Sequence, residues 1–335
     1  MKIVLVGAGS IGGTTAVMLK EHGVDIDIVE ANAERAEVIR TQGLRLTGAL
    51  GDHCEKFKVY NSTDEITETY DVCVIATKYF ALQAVAKAML PHVDPNGLFV
   101  SMQNGICTEL LSDVVGKDRA VGCMIGFGAT LKPDGSVNVT SKGELMLGRV
   151  IGVIDDRLKA LVKVYNYLLP TKAVDNIEAC LYSKLIVNSC INSIAPLTGE
   201  TVGKMLESKK AKLIFLEIAR EGILVARKLG LHVPPYAKVL NYNLLLLSNG
   251  QWFKNICCLV VNVVGSKFGD VRPSTLQSLD RGEKTEIDIF NGYIVRKGRE
   301  AGVPTPVNQQ IYDFIKKIEA GEEKSCLENL ERIQL

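Results

Sequence analysis

The sequence predicts an α/β fold, with a doubly wound parallel sheet in the N-terminal half and an all-helical C-terminal half. Three observations point there. A strand-like apolar run, Ile3 to Val6, leads directly into Gly7-Ala8-Gly9-Ser10-Ile11-Gly12. Short apolar runs then alternate with segments of helical spacing, the pattern of parallel strands joined by crossover helices. After about Asn176 glycine thins out, and apolar residues recur at helical spacing alone.

Taken in order, Ser10 to about His22 reads as the first helix, Asp25 to Glu30 as the second strand and Ala33 to Thr41 as the second helix. Val72 to Thr77 is the next strand, Phe80 to Leu90 a helix and Leu98 to Met102 another strand. Ala120 to Arg149 is rich in Gly, Val and Thr, with a turn signal at Lys132-Pro133-Asp134-Gly135, and is expected to add antiparallel edge strands. In the second half, helices are expected over Ala179 to Ile194, Lys209 to Leu229, Tyr236 to Leu247 and Glu286 to Ala301. Turns such as Val233-Pro234-Pro235 and Gly302-Val303-Pro304 separate them. At 335 residues the chain exceeds the usual size of a single core. The expected domains are residues 1–172, Rossmann-type and dinucleotide-binding, and 173–335, helical and bearing the substrate and catalytic groups.

The 39 basic and 38 acidic residues leave a formal charge of +1, which makes no electrostatic case for nucleic acid or an anionic membrane. The opening apolar run is too short for a signal peptide. No stretch reaches the length of a membrane span: the longest candidate, Ile256 to Val264, is interrupted by Asn262 and followed by Gly265. The nine cysteines are odd in number, lack metal-site spacing and sit largely in apolar runs, so reduced cysteines in a cytoplasmic protein are expected.

G-x-G-x-x-G between a strand and a helix is the arrangement that cradles a dinucleotide pyrophosphate. Gly7 permits the tight turn, Gly9 the close approach of the backbone and Gly12 the packing of helix on strand. Ala8, Ser10 and Ile11 complete the loop, and the helix N-terminus supplies unpaired N–H donors. Acidic Glu30 follows eighteen residues beyond Gly12, where a carboxylate accepts from the ribose hydroxyls of NAD and repels a 2′-phosphate. It reads equally as an exposed acid opening the next helix, while Lys78 and Arg35 are cations that NADP could use.

In the helical half, Lys184, Asn188 and Asn192 stand at i, i+4 and i+8 amid Leu185, Ile186, Val187, Ile191 and Ile194, and so share one helix face. Such a stripe is either the solvated face of an amphipathic helix or a set of groups for a polar substrate. The segment from Pro273 to Gly292 is polar at its start and is expected to turn helical near Thr285-Glu286, where charge at a helix start would suit the dipole.

At these residues the chain resembles the ketopantoate reductase (2-dehydropantoate 2-reductase) family. The resemblance rests on Gly7-x-Gly9-x-x-Gly12, Gln103-Asn104-Gly105, Lys184-xxx-Asn188-xxx-Asn192, Ser274-Thr275-Leu276-Gln277 and Thr285-Glu286-Ile287-Asp288-xx-Asn291-Gly292. It runs from Met1 to Gly302-Val303-Pro304-Thr305-Pro306-x-Asn308. It implies NADP(H)-dependent reduction of the ketone of a small 2-oxo acid, with ketopantoate as substrate in pantothenate and coenzyme A synthesis. It also implies Lys184 as general acid, Asn104 beside both nicotinamide and ketone, and Asn188, Asn192, Ser274 and Glu286 along the substrate. Two departures stand out. Glu30-Ala31 occupies the place where members preferring NADP usually carry arginine, which favours NAD(H), and Ser278 stands where aspartate is common. The alternatives are an NAD-dependent D-2-hydroxy acid dehydrogenase of the same superfamily, acting on another branched or aromatic 2-oxo acid, and a non-catalytic dinucleotide-sensing regulator. A homodimer stays open. None of His22, His53, His92 and His232 lies in a catalytic context.

Overall fold

β1 (Lys2–Val6) is buried from Ile3 onward on both faces, as a strand covered by helices on either side must be. The glycine-rich turn then leads into α1 (Ser10–Glu21), β2 (Asp25–Val29) and α2 (Ala33–Thr41). These bounds match the expected ones to within a residue. Asp27 is buried in β2, where its carboxylate accepts from the Tyr70 hydroxyl at 2.7 Å. The computed structural model describes residues 1–235 and 271–335, together with 242–247, 250, 254–259, 261 and 269. The chain divides into two units, Met1–Leu181 and Tyr182–Leu335.

The first unit is built on an eight-stranded sheet. From one edge to the other it runs Thr171–Ala173, Leu145–Arg149, Ala120–Ile125, Val93–Ser101, Tyr70–Ile75, β1, β2 and Val59–Tyr60. All neighbours are parallel except Ala120–Ile125 with Leu145–Arg149. Strand order reverses at β1, which has β2 on one side and Tyr70–Ile75 on the other, and such a reversal is where doubly wound sheets bind ligands.

The expectation of antiparallel edge strands over residues 120–149 is half corrected. Gly128–Leu131 and Val137–Ser141 leave the main sheet, and pair in a second one with Leu44–Gly48 and His53–Glu55. This sheet lies on α1: a Cβ on Gly13 would meet Val137 at 3.1 Å and Leu44 at 3.2 Å. The turn signal holds, with the Gly135 N–H donating to the Lys132 carbonyl at 3.0 Å.

In the second unit the described elements are helical. They comprise most of Ile177–Thr198, then Val202–Met205, Lys209–Lys228, Ser274–Asp280, Asn291–Ala301 and Pro306–Glu319, with 3-10 turns at Tyr242–Leu246, Ile287–Ile289 and Leu327–Arg332. Two expectations change. Of the helix expected over Tyr236 to Leu247, residues 236–241 lie outside the described residues, and Tyr242–Leu246 is a 3-10 turn. The helix expected from Glu286 starts at Asn291, because Phe290 takes non-helical angles (φ −105°, ψ −102°) after a single 3-10 turn. In the apolar stretch Ile256 to Val264, residues 260 and 262–264 lie outside the described residues. Among the described residues no helix is long and apolar enough to cross a membrane.

Candidate active site

The register places several chain ends along one edge of the large sheet. Val6 pairs with Val29 and Ile75, and Ile75 pairs with Ser101. Gly7, Glu30, the Ala76-Thr77-Lys78 segment and the Met102-Gln103-Asn104 segment therefore emerge side by side at the carboxyl ends of parallel strands.

The three glycines separate into three physical roles. Gly7 has φ 94°, a conformation costly for a side chain, and a Cβ there would meet Thr77 at 2.9 Å. A Cβ on Gly12 would lie 2.0 Å from the Gly7 carbonyl oxygen, so helix and turn touch only because it is absent. A Cβ on Gly9 would meet nothing within 4 Å, so close packing within the protein does not require that glycine. Gly9 is also the N-cap of α1, no side chain caps this helix, and its first turn holds no acid. Ser10 and Ile11 are half-buried beside it. An open backbone surface at an uncapped helix N-terminus fits a pyrophosphate. Two buried polar atoms on the same edge, Thr77 Oγ1 and Gln103 Nε2, have no hydrogen-bond partner among the described residues. Sequence reasoning passed over both, although Gln103 stands inside the quoted Gln-Asn-Gly motif. Asn104 and Lys78 are half-buried.

Glu30 is a brace rather than an exposed helix opener. Its carboxylate accepts from the Ala8 N–H at 3.1 Å and the Asn32 N–H at 3.0 Å, and only 14% of the side chain is exposed. Arg35 reaches the same loop from α2, donating to the Ala8 carbonyl through Nε (3.2 Å) and Nη2 (2.5 Å) and to the Gly135 carbonyl through Nη1 (3.0 Å). Its Nε stands 3.8 Å from Glu30. Burial lowers the Arg35 pKa, and Glu30 works against that.

In the second unit, the neighbours of Lys184, Asn188 and Asn192 other than Ile191 are buried rather than solvated. Of residues 181–198 only Lys184, Asn188 and Ile191 are even half-exposed, and all the rest are buried. An amphipathic surface helix would show a broad exposed face; this one shows a single narrow line. Asn192 continues the line into the interior at 7% exposure. Its Oδ1 accepts from the Ser274 hydroxyl (3.0 Å), the Thr275 N–H (3.2 Å) and the Thr275 hydroxyl (3.3 Å). Pro273 cannot cap the helix Ser274–Asp280 with a side chain, and Asn192 does so from another helix.

The Thr285-Glu286-Ile287-Asp288-xx-Asn291-Gly292 motif resolves into anchors around Glu286. The N–H and hydroxyl of Thr285 both donate to Glu319 Oε1, the former at 2.7 Å. Asp288 accepts from the Tyr312 hydroxyl at 2.8 Å, and Asn291 donates to Asn308 at 3.0 Å. A Cβ on Gly292 would lie 2.9 Å from the Tyr312 ring. Glu286 sits among these anchors, 6% exposed. It opens a 3-10 turn inside the unit, not a solvated α-helix.

The family described as ketopantoate reductase PanE/ApbA matches residues 3–152, and the family described as its C terminal matches residues 176–319. A 2-dehydropantoate 2-reductase from Pyrococcus abyssi is 29% identical over 330 residues, covering 97% of this chain and 100% of the relative. A crystal structure of a PanE/ApbA family ketopantoate reductase from Ralstonia eutropha has a TM-score of 0.81 at 23% identity, covering 96% of this chain and 99% of that one. The ternary structure of D-mandelate dehydrogenase with NADH and anilino(oxo)acetate has a TM-score of 0.80 at 21% identity, covering 96% and 99%. At these identities the two structures show likeness of fold. With both family matches in chain order across nearly its whole length, the chain belongs to the ketopantoate reductase family and is an NAD(P)-dependent oxidoreductase.

Proposed function

We propose that the chain reduces the ketone of 2-dehydropantoate to the secondary alcohol of pantoate, using NADH as hydride donor and Lys184 as proton donor. The observation that carries this reading is the narrow line of Lys184 and Asn188 on an otherwise buried helix, ending at Asn192. Its support is the relatives that carry this activity over the full length of the chain.

A bound nicotinamide dinucleotide supplies the hydride that becomes the new C–H bond. The Lys184 ammonium donates to the ketone oxygen, draws electron density toward it, and gives up a proton as the carbonyl pair settles on oxygen. The balance is one hydride and one proton per ketone. Asn188 and the amide N–H groups of Asn192 would donate to the 2-oxo acid, and Asn104 is assigned to the nicotinamide. Ser274, held through its hydroxyl on Asn192, borders the carboxylate, and Glu286 accepts from the substrate hydroxyl. Residues Gly7 to Gly12 would hold the pyrophosphate at the start of α1, and Lys78 would add a cation to the cofactor site.

Preference for NADH over NADPH follows from Glu30. Its carboxylate stands at the end of β2, where a 2′-phosphate would bring like charge against it. Of the two cations that could offset this, Arg35 is already engaged with the Ala8 and Gly135 carbonyls. The same feature favours a second reading, an NAD-linked D-2-hydroxy acid dehydrogenase, in keeping with the fold shared with D-mandelate dehydrogenase.

Initial rates of the purified protein with NADH and NADPH, against 2-dehydropantoate and a panel of aromatic and branched 2-oxo acids, test both readings. The expected result is the highest kcat/KM on 2-dehydropantoate, with NADH ahead of NADPH by about tenfold, or about 1.4 kcal/mol. A higher kcat/KM on an aromatic or branched acid would establish the second reading. A reversed cofactor ratio would overturn the role given to Glu30.

A further inference from the structure

The segment from Thr285 to Asp288 lies along one face of the helix Pro306–Glu319. Tyr312, Lys316 and Glu319 stand at i, i+4 and i+7 and so line that face. Glu319, 10% exposed, takes both donors of Thr285 at one end of the segment. Tyr312 holds Asp288 at the other end at 2.8 Å. Lys316 ties the two anchors together, with its ammonium 3.6 Å from Asp288 and paired with Glu319. The helix is itself fixed at its start. The buried Glu221 carboxylate accepts from the N–H of Val307 (2.8 Å) and of Asn308 (2.9 Å) and from the Asn308 amide (2.7 Å), and Asn308 accepts from Asn291.

A short strap fastened at both ends to a fixed helix leaves its middle little freedom. Its middle is Glu286 and the buried Ile287. We propose that Glu319, Tyr312 and Lys316 are positioning residues for Glu286, holding its carboxylate where it meets the hydroxyl of the substrate and so setting a preference for 2-oxo acids that carry one. This rests on the reading of Glu286 as the hydroxyl acceptor. The physical basis is preorganisation: an acceptor already fixed loses no freedom when the hydroxyl arrives, whereas a loose one does. Cutting the strap therefore weakens discrimination between hydroxylated and non-hydroxylated substrates. A merely structural contact would weaken turnover of both alike.

The test compares 2-dehydropantoate with the analogue that carries a methyl in place of its hydroxymethyl group. Thr285→Val removes the hydroxyl bond to Glu319 and Thr285→Ser keeps it. Glu319→Gln, nearly isosteric, keeps an acceptor for Thr285 but removes the ion pair with Lys316 that ties the two anchors, a second cut that keeps the test open should the valine variant fold poorly. Dinucleotide Kd and Tm are measured alongside. The expected result is that T285V and E319Q each reduce the ratio of kcat/KM values for the two substrates by about tenfold, the loss that follows from a misplaced acceptor. T285S restores the ratio, and dinucleotide Kd stays unchanged throughout. Equal losses on both substrates would overturn the proposal. Glu286→Leu, which removes the acceptor, serves as reference. If it leaves the ratio intact, the hydroxyl-acceptor reading fails and the strap's role with it. If it erases the ratio while T285V and E319Q do not, the strap alone is wrong.

Discussion

Lys184 and its neighbours show what a single residue discloses and what it withholds. The i, i+4, i+8 spacing of Lys184, Asn188 and Asn192 is legible in the sequence, but spacing alone also describes a solvated helix face. What separates the two is burial of the flanking residues, Leu181 to Ser183 and Leu185 to Val187, and that depends on how the rest of the unit packs. The bond between Ser274 and Asn192 joins residues 82 apart, and no local pattern announces it. Likewise the family motif names Thr285, Glu286, Asp288 and Asn291 together, and only the contacts with Glu319, Tyr312 and Asn308 show which of them are anchors. The proton-donor role of Lys184 has a direct consequence. Lys184→Met keeps the length of the side chain and removes the proton, so kcat on the 2-oxo acid should fall by about 10²–10⁴-fold, the range for loss of a general acid. Dinucleotide Kd, measured by fluorescence titration of NADH, should stay within about twofold, because the residues assigned to the cofactor remain intact. A variant with kcat within a few-fold of the parent would remove Lys184 from the chemistry.

At the scale of elements, β1, α1 and β2 were readable because three independent signals coincide there: an unbroken apolar run, glycines at the turn, and an acid closing the second strand. The second sheet was not. Leu44–Gly48 and His53–Glu55 are short, with charged or polar residues at alternate positions, and the strand that joins this pair to the rest of the sheet, Val137–Ser141, lies far along the chain beside Leu44–Gly48. The glycine turn also offers a sharp test, because its glycines act for different reasons. A Cβ at position 12 collides with the Gly7 carbonyl at 2.0 Å, which neither backbone nor helix can easily relieve. Gly12→Ala should therefore cost about 1–3 kcal/mol of stability, as overpacking does. Gly9 takes φ −69°, which any residue tolerates, and its Cβ would stand in open space. Gly9→Ala should leave Tm nearly unchanged and raise the dinucleotide Kd by about tenfold or more, since a methyl group then occupies the approach to the backbone N–H groups. Calorimetry and NADH titration of the two variants check this. Equal Tm losses in both would mean that the glycines serve packing alone.

For the molecule as a whole, the titrating groups with resolved shifts set how stability follows pH. His53 joins the end of α1 to the turn that begins the second sheet's outer strand: Nδ1 faces Glu21 at 2.8 Å and Nε2 faces the Leu50 carbonyl at 2.9 Å. With an acceptor at each nitrogen, the imidazolium is the form that satisfies both. The Leu50 carbonyl raises the pKa above 6.5, helped by Glu21 and Asp52 and opposed by burial. In the second unit, burial raises the Glu221 carboxyl above 4.5, against the pull of the Asn308 and Val307 donors. A raised folded-state pKa contributes stability that is complete below the unfolded value and lost as pH climbs through the folded one. Glu221 and His53 therefore both act against stability at rising pH, the first from above 4.5 and the second from above 6.5. Asp134 works the other way. The Ser136 hydroxyl and N–H donate to it and hold its pKa below 3.8, so its contribution is present above that value and is lost in stronger acid. The chain should therefore be most stable in mildly acidic solution, with Tm declining from about pH 6 to about pH 8. His53→Gln cannot take up the proton, so its Tm should decline less steeply over that interval and meet the parent's trend at the alkaline end. Thermal melts of the two proteins at matched ionic strength read this directly. Parallel Tm curves for parent and variant would show that His53 carries the same charge state folded and unfolded, and that its two acceptors do not hold the proton.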